Sequence, residues 1–478
     1  MRKFSVCLGS TNFEKNLAKL YLFLLPVRMI SPLLGFANLF HGAAVYFDFI
    51  LNILGILIYL FKHKFVLRLS NDNGGRAFNV FVCTVFFLNL MSLVMAFITQ
   101  VTQGSYAGET AFSGILGMEI YFFQYVLILA YNRHIFHILS EEEIKRVISK
   151  TCFALMILGY FQMLILLFGG AFRTILETID IFDILWPDNS MWKLSLTGRE
   201  GASAGTIFGV FVLPYLLGQL LDKNWKNHTL IILQLVLWIP LVIFMQSSSA
   251  YLMTFSVLFG FVLYKFSYNK RKKIKIILLS ILVLILIIPI GNKLIDFLPP
   301  EIRYLIFDKV RDMENGSTIA RIVPFVTNWN TFLQSPIFGV GNGLQGYYYV
   351  DFFPDWARNV AGSDVMNFYN TAQNQIINGG LFFPGFLSGY GLVGVLLFIN
   401  IVFVIKRRLH DMKKVDTFAY NFFRIAAWSI VICGFQSEFA GNYLIWFVIG
   451  LPFMDYIPSP ERRIQNEKSI CDCSISRL

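Results

Sequence analysis

Residues 381–405 read LFFPGFLSGYGLVGVLLFINIVFVI and run straight into KRRLHDMKK at 406–414. The apolar letters are continuous and lack the polar alternation of a half-buried strand. A hydrocarbon core about 30 Å thick takes roughly 20 apolar residues of helix. In lipid only helices and closed barrels satisfy their own backbone, so this run predicts a transmembrane helix. The basic cluster behind it marks the side where the helix ends, because Lys and Arg collect in cytoplasmic loops.

The same pattern recurs along the chain. Of 478 residues, 56% are hydrophobic and only 14% charged, against roughly 25% charged in soluble domains. The expectation is an all-α polytopic membrane protein of about 12 transmembrane helices. These begin near residues 18, 43, 78, 113, 151, 202, 229, 250, 275, 381, 422 and 440, with one large outer loop between spans 9 and 10. Spans 1–9 occupy 1–292, interrupted by a smaller outer loop near 171–200. The large extracytoplasmic loop covers 293–380, spans 10–12 cover 381–457, and 458–478 is a cytoplasmic tail.

The formal charge of +11 does not point to nucleic acid. Most Lys and Arg residues fall in 1–19, 62–76, 133–150, 222–228, 265–275, 406–414 and 458–478, which places these segments and both termini on the cytoplasmic side. The first apolar run holds Pro26 and Arg28 and has no convincing cleavage site, so it reads as a retained helix. The cysteines at 7, 83, 152, 433, 471 and 473 lie in spans or cytoplasmic segments and predict no disulfide framework. The Cys471–Cys473 pair reads as chance in a tail rather than as a metal site.

No GxxxxGK loop, HExxH or zinc-ligand cluster occurs, so neither nucleotide hydrolysis nor zinc chemistry is expected, and no cofactor or metal. No internal repeat suggests the inverted halves of many transporters. Chemistry is therefore expected at the outer face. The large loop contains WNTF, GYYYVDFFPDW and MNFY, aromatic-rich segments unlike disordered sequence, so it is expected to fold against the membrane surface.

Within that loop, residues 316–343 read GSTIARIVPFVTNWNTFLQSPIFGVGNG. Ser317 can cap a helix, and Ile319, Ile322, Val323, Val326 and Leu333 recur at helical spacing. Arg321 falls on the opposite face near Phe325, Asn328 and Phe332. Pro324 should kink the helix, and Pro336 with Gly339, Gly341 and Gly343 should end it in a turn where backbone can approach another group closely. An arginine beside such a turn suits a phosphate or pyrophosphate, since guanidinium pairs with phosphate in a bidentate way. The structural alternative is a solvated arginine on an amphipathic helix.

This order of features resembles the O-antigen polymerase and O-antigen ligase superfamily, in many helices, a large late outer loop and an R…(F/W)…sPxxGxG pattern. The resemblance covers roughly 190–405 and implies transfer or polymerisation of oligosaccharides carried on undecaprenyl pyrophosphate. It makes Arg321 the arginine that engages the lipid pyrophosphate. LTGREGASAGTIFG at 196–209 matches the segment that opens a span in polymerases, placing Arg199 and Glu200 at the outer mouth; a local ion pair is the alternative for them. QSSSAYL at 246–252 stands where the family has SRGAWL, with Ser248 in place of an arginine. NTAQNQIINGG at 370–380 resembles HNxFL, with Gln373, followed by Asn374, where ligases have histidine.

The resemblance thus implies a metal-independent glycosyltransferase-type polymerase in a bacterial cytoplasmic membrane, building O-antigen, capsule or exopolysaccharide. Arg321, Arg199 and Glu200 would be catalytic, and Gly339, Gly341, Gln373, Asn374, Tyr348 and Trp356 substrate-binding. Its partners would be the lipid-linked oligosaccharide, membrane lipids, and flippase and chain-length regulator proteins. A ligase, a flippase or transporter, and a polyprenyl-phosphate glycosyltransferase are the competing classes. Tyr347, Tyr348, Tyr349 and Trp356 can stack on sugars or form an interfacial belt. Asp351, Asp355 and Asp364 are candidates for acceptor hydroxyls or for a general base. Arg28, Asp48, Glu119 and Glu438 are ionisable groups at spans, which suggests a functional pathway or, for Arg28 with Asp48, a structural pair. His41 reads as an interfacial histidine.

Overall fold

The computed structural model describes residues 12–27, 47–62, 73–168, 194–197, 201–222, 228–265, 316–358, 369–370, 373, 381–415, 418–437 and 442–454. Among these the secondary structure is helical, with no strand. The longer helices are α1 (Asn12–Leu24), α2 (Phe47–Lys62), α3 (Asn73–Thr102), α4 (Ala111–Ile138), α5 (Glu141–Phe168) and α6 (Gly201–Leu221). They continue with α7 (His228–Phe244), α8 (Ser248–Lys265), α9 (Gly316–Gln334), α10 (Phe382–Val415), α11 (Phe418–Gln436) and α12 (Tyr443–Gly450). Every expected span start except the one near 275 has a helix at or near it; residue 275 lies outside the described residues. Six helices, α3, α5, α6, α8, α10 and α11, are long and apolar enough to cross a membrane. The protein is a multi-pass helical membrane protein.

Polarity is distributed as lipid requires. Phe86, Phe97, Ile239, Leu396 and Phe403 are all more than half exposed, so apolar side chains cover the outside. Helix α6 is the exception: 89% of its apolar window is buried, and a helix apolar all round belongs inside. It packs against α8 and α11. Small residues carry that contact, as expected where close backbone approach replaces the hydrophobic effect as the driving force. A Cβ on Gly205 would lie 2.6 Å from Ala250 Cα, and one on Gly209 would lie 2.6 Å from Met253 Cβ. The middle of α6, Ile207–Val212, is wound as π-helix just before Pro214. Proline lacks the N–H that the preceding turn would need.

We call the end carrying Glu14, Lys145 and Arg408 the inner end, and the opposite end the outer. At the inner end ionisable side chains tie helices together. Glu14 of α1 meets His134 of α4 at 2.6 Å with both residues buried, and Lys19 meets Glu143 at 2.7 Å. Lys145 of α5 bridges Asp222 (2.8 Å) and Glu141 (3.0 Å). Arg408 of α10 donates to the carbonyl oxygens of Pro452 and Met454 at the end of α12.

Helix α9 lies where the loop reading placed a helix, and it runs unbroken through Pro324. It begins at Gly316, so Ser317 sits inside the first turn rather than before it. The expected apolar stripe does not form one open face: Val323 is fully buried and Ile322 and Val326 are half-buried, and the outward side is carried by Phe325, Trp329 and Leu333. Leu333 is 56% exposed, with Phe325 and Trp329 exposed beside it, while Thr327, Asn328 and Thr331 on the inward side are buried. Phe325, expected on the Arg321 face with Asn328 and Phe332, is instead exposed while those two are buried.

Candidate functional site

Two helix starts meet at the outer end. Helix α8 starts at Ser248, and its first turn closely approaches the second turn of α6, through Ala250 and Gly205. Each start is fed by a short segment with a left-handed non-glycine residue, Leu196 (φ 50°) and Gln246 (φ 44°). Such strain persists only where surroundings enforce it. Gln162 of α5 enforces the first: its Nε2 donates to Leu196 O and its Oε1 accepts from Leu196 N, each at 2.8 Å. Leu194 N donates to Phe244 O (3.0 Å), and Thr197 Oγ1 donates to Pro26 O (2.6 Å). The connection into α8 is closed by Met245 N to Leu241 O and Gln246 N to Ile243 O.

Onto this junction α9 delivers Arg321. Its Nη2 donates to Ser249 Oγ at 3.0 Å, across 72 residues of sequence. Ser249 is buried and Arg321 half-buried, on the border between the buried polar and the exposed apolar sides of α9. Neither α6 nor α8 has an acidic residue in its first turn. Each helix start carries the equivalent of about half a positive charge. Two such starts and a guanidinium make a place where an anion with several oxygens is electrostatically favoured.

The glycine turn holds α9 in place. Residues 336–341 pair through backbone with the break in α10, where Gly391 has φ 59° and ψ −158°. Val340 N donates to Ser388 O, Gly341 N to Gly389 O, Leu392 N to Pro336 O and Val393 N to Ile337 O. The close approach foreseen for the glycines is thus made to the chain's own backbone. A Cβ on Gly339 (φ 72°) would meet Gly389 C and O at 2.4 Å, and one on Gly341 (φ 99°) would meet Leu344 and Met95 at 3.0 Å. Side chains complete the joint. Ser388 Oγ donates to Asn328 Oδ1 (2.7 Å), Gln345 Nε2 donates to Gly385 O (3.0 Å), and Asn342 N donates to Ser92 Oγ (3.1 Å) of α3.

Other expected residues are placed as follows. Tyr348 is half-buried and its hydroxyl accepts from Gln103 Nε2 at 2.8 Å; Trp356 is 40% exposed and Gln373 exposed. Tyr347 donates to Gly104 O, and Tyr349 is buried beside Val323 of α9. Asp351 and Asp355 are exposed. Arg199, Glu200, Asn374, Asp364, Arg28, His41 and Glu438, with Cys471 and Cys473, lie outside the described residues, as do the side chains of Ser317, Ile319, Asp48 and Glu119. The described segments on either side of Arg199 and Glu200 are Leu194–Thr197 and the start of α6, both at the Arg321 junction. Among the described residues no group of three His, Cys, Asp or Glu side chains is placed to hold a metal ion.

Sequence reasoning missed Ser249, Gln162, Ser388 and the Glu14–His134 pair. A signal existed for Gln162 and His134, as polar letters inside apolar runs; for Ser249 it was the serine run itself, which only α9 turns into a partner. No protein-family model matches the chain, and no curated protein is significantly similar to it.

Proposed function

We propose that the protein polymerises oligosaccharide repeat units carried on a polyprenyl pyrophosphate, at the outer face of a bacterial cytoplasmic membrane, with both of its termini in the cytoplasm. The observation that carries this reading is the Arg321–Ser249 contact at the paired starts of α6 and α8. A pyrophosphate is an anion with oxygens enough for a guanidinium and helix-start amides together. The apolar outer side of α9, through Phe325, Trp329 and Leu333, gives the attached isoprenoid chain a lipid-facing route to that anion. The donor brings a good leaving group, so the protein's task is to hold the charge that develops on it, and preorganised cations do this without a metal. Arg199 and Glu200, next to the start of α6, would complete the mouth of the site, and the acceptor hydroxyl would lose its proton to one of the loop carboxylates. The histidine of ligases is replaced by Gln373, which favours polymerase over ligase.

The test is the surface polysaccharide of cells lacking the gene, resolved by gel and complemented with wild type or Arg321→Ala. Loss of the long-chain ladder with single repeat units still attached, restored by wild type and not by Arg321→Ala, supports the reading. Full-length polymer retained on its lipid carrier would make the protein a ligase. Repeat units trapped on the cytoplasmic side would make it a flippase.

A further inference from the structure

The outer connection between α3 and α4, residues 103–110, is a tight polar hairpin. Tyr106 and Glu109 exchange backbone hydrogen bonds of 3.0 and 2.9 Å around Ala107 (φ 49°) and Gly108 (φ 80°). A Cβ on Gly104 or Gly108 would meet nothing within 4 Å, so the space over the hairpin is open. Its sequence, QGSYAGE, is too polar for the hydrocarbon region and sits at or beyond the interface.

Against this hairpin packs the turn 344–353 of the large loop. Tyr106 and Tyr347 lie 5.5 Å apart, while Tyr348 and Phe352 stack with planes 7° apart and centroids at 6.3 Å. Gln103 fixes the Tyr348 hydroxyl. Burial first, then the charge of Asp351, push the Tyr106 hydroxyl above its ordinary value, so it stays a donor and Asp351 lies within its field. The result is a half-exposed aromatic shelf rimmed by Glu109 and Asp351. The reverse side of the same turn, Tyr349 and Phe353, packs on Val323, two residues from Arg321.

We propose that this shelf is a saccharide subsite that holds the non-lipid end of the acceptor chain beside the Arg321 junction. Aromatic faces take up the apolar C–H face of a pyranose, while carboxylates accept from its hydroxyls in the ring plane. Parallel rings with acids at the rim supply both at once. As an acceptor site the shelf rests on the polymerase reading; as a sugar site it does not, and the experiment separates the two.

The probe is oligosaccharide made by partial acid hydrolysis of the polysaccharide from the producing cells, titrated onto the full chain in nanodiscs. Wild type and Arg321→Ala are expected to bind equally, Tyr348→Ala about tenfold more weakly, and Tyr348→Phe, which keeps the ring, close to wild type. Absence of binding by wild type, or undiminished binding by a monodisperse Tyr348→Ala protein, overturns the shelf and leaves the polymerase reading untouched. If Tyr348→Ala loses binding while the cells' ladder keeps its length and amount, the acceptor role is overturned. If Arg321→Ala supports a normal ladder, the polymerase reading fails while the sugar-binding result stands.

Discussion

The inner and outer ends of this bundle are joined by different chemistry. At the inner end helices are clamped by ionisable side chains, with Glu14 on His134, Lys145 on Asp222 and Lys19 on Glu143. At the outer end the α9–α10 joint is made by backbone, in the paired turn 336–341 and the break at Gly391. Asn328 and Ser388 back that joint with neutral hydrogen-bonding groups. Where a charge clamp is buried, as at Lys145–Asp222, it tolerates little change, because a buried ion that loses its partner is costly. A backbone joint fixes an element with hardly any side chain, and it leaves α9 to present Arg321 at the junction it reaches.

That contrast separates activity from stability, and substitutions can break it. The largest effect is expected at Arg321. Arg321→Ala should lower polymer formation by about a hundredfold or more while melting in detergent like wild type; a collapse of stability instead would make Arg321 another clamp. Next is His134→Ala, which takes the imidazole from a buried carboxylate and should lower stability by about 3–5 kcal/mol, read as loss of monodisperse protein on heating. Gly339→Ala places a Cβ against Gly389 in a left-handed conformation and should cost about 1–3 kcal/mol. Its damage should appear first as protease sensitivity within 335–358, the segment the turn anchors. The smallest effect is Ser388→Ala, which removes one hydroxyl donated to Asn328 and should cost about 0.5–1.5 kcal/mol. A drop in activity greater than that loss explains would show that the latch also sets the position of Arg321.

Much of the helical layout was legible, because continuous apolar runs such as 381–405 and 151–168 need no long-range information. The spacing of α9 was legible for the same reason. Its orientation was not: a period of 3.6 residues groups Ile322, Val323, Val326 and Leu333 without saying that Val323 is buried while Phe325, Trp329 and Leu333 are open. The glycines of SPIFGVGNG announced a close approach, yet the partner is Gly389 to Gly391, far along the chain. The Arg321–Ser249 contact is of the same kind. Each partner was visible in its own segment, and only folding across residues 249 to 321 makes them a pair.

The central claim is that Arg321 at the paired helix starts holds the donor's pyrophosphate. The most direct measurement uses purified protein in nanodiscs with polyprenyl-pyrophosphate-linked repeat units and follows release of free polyprenyl pyrophosphate. Wild type should release it as chains lengthen, and Arg321→Ala should release about a hundredfold less at unchanged melting temperature. Release at the wild-type rate by Arg321→Ala would contradict the account.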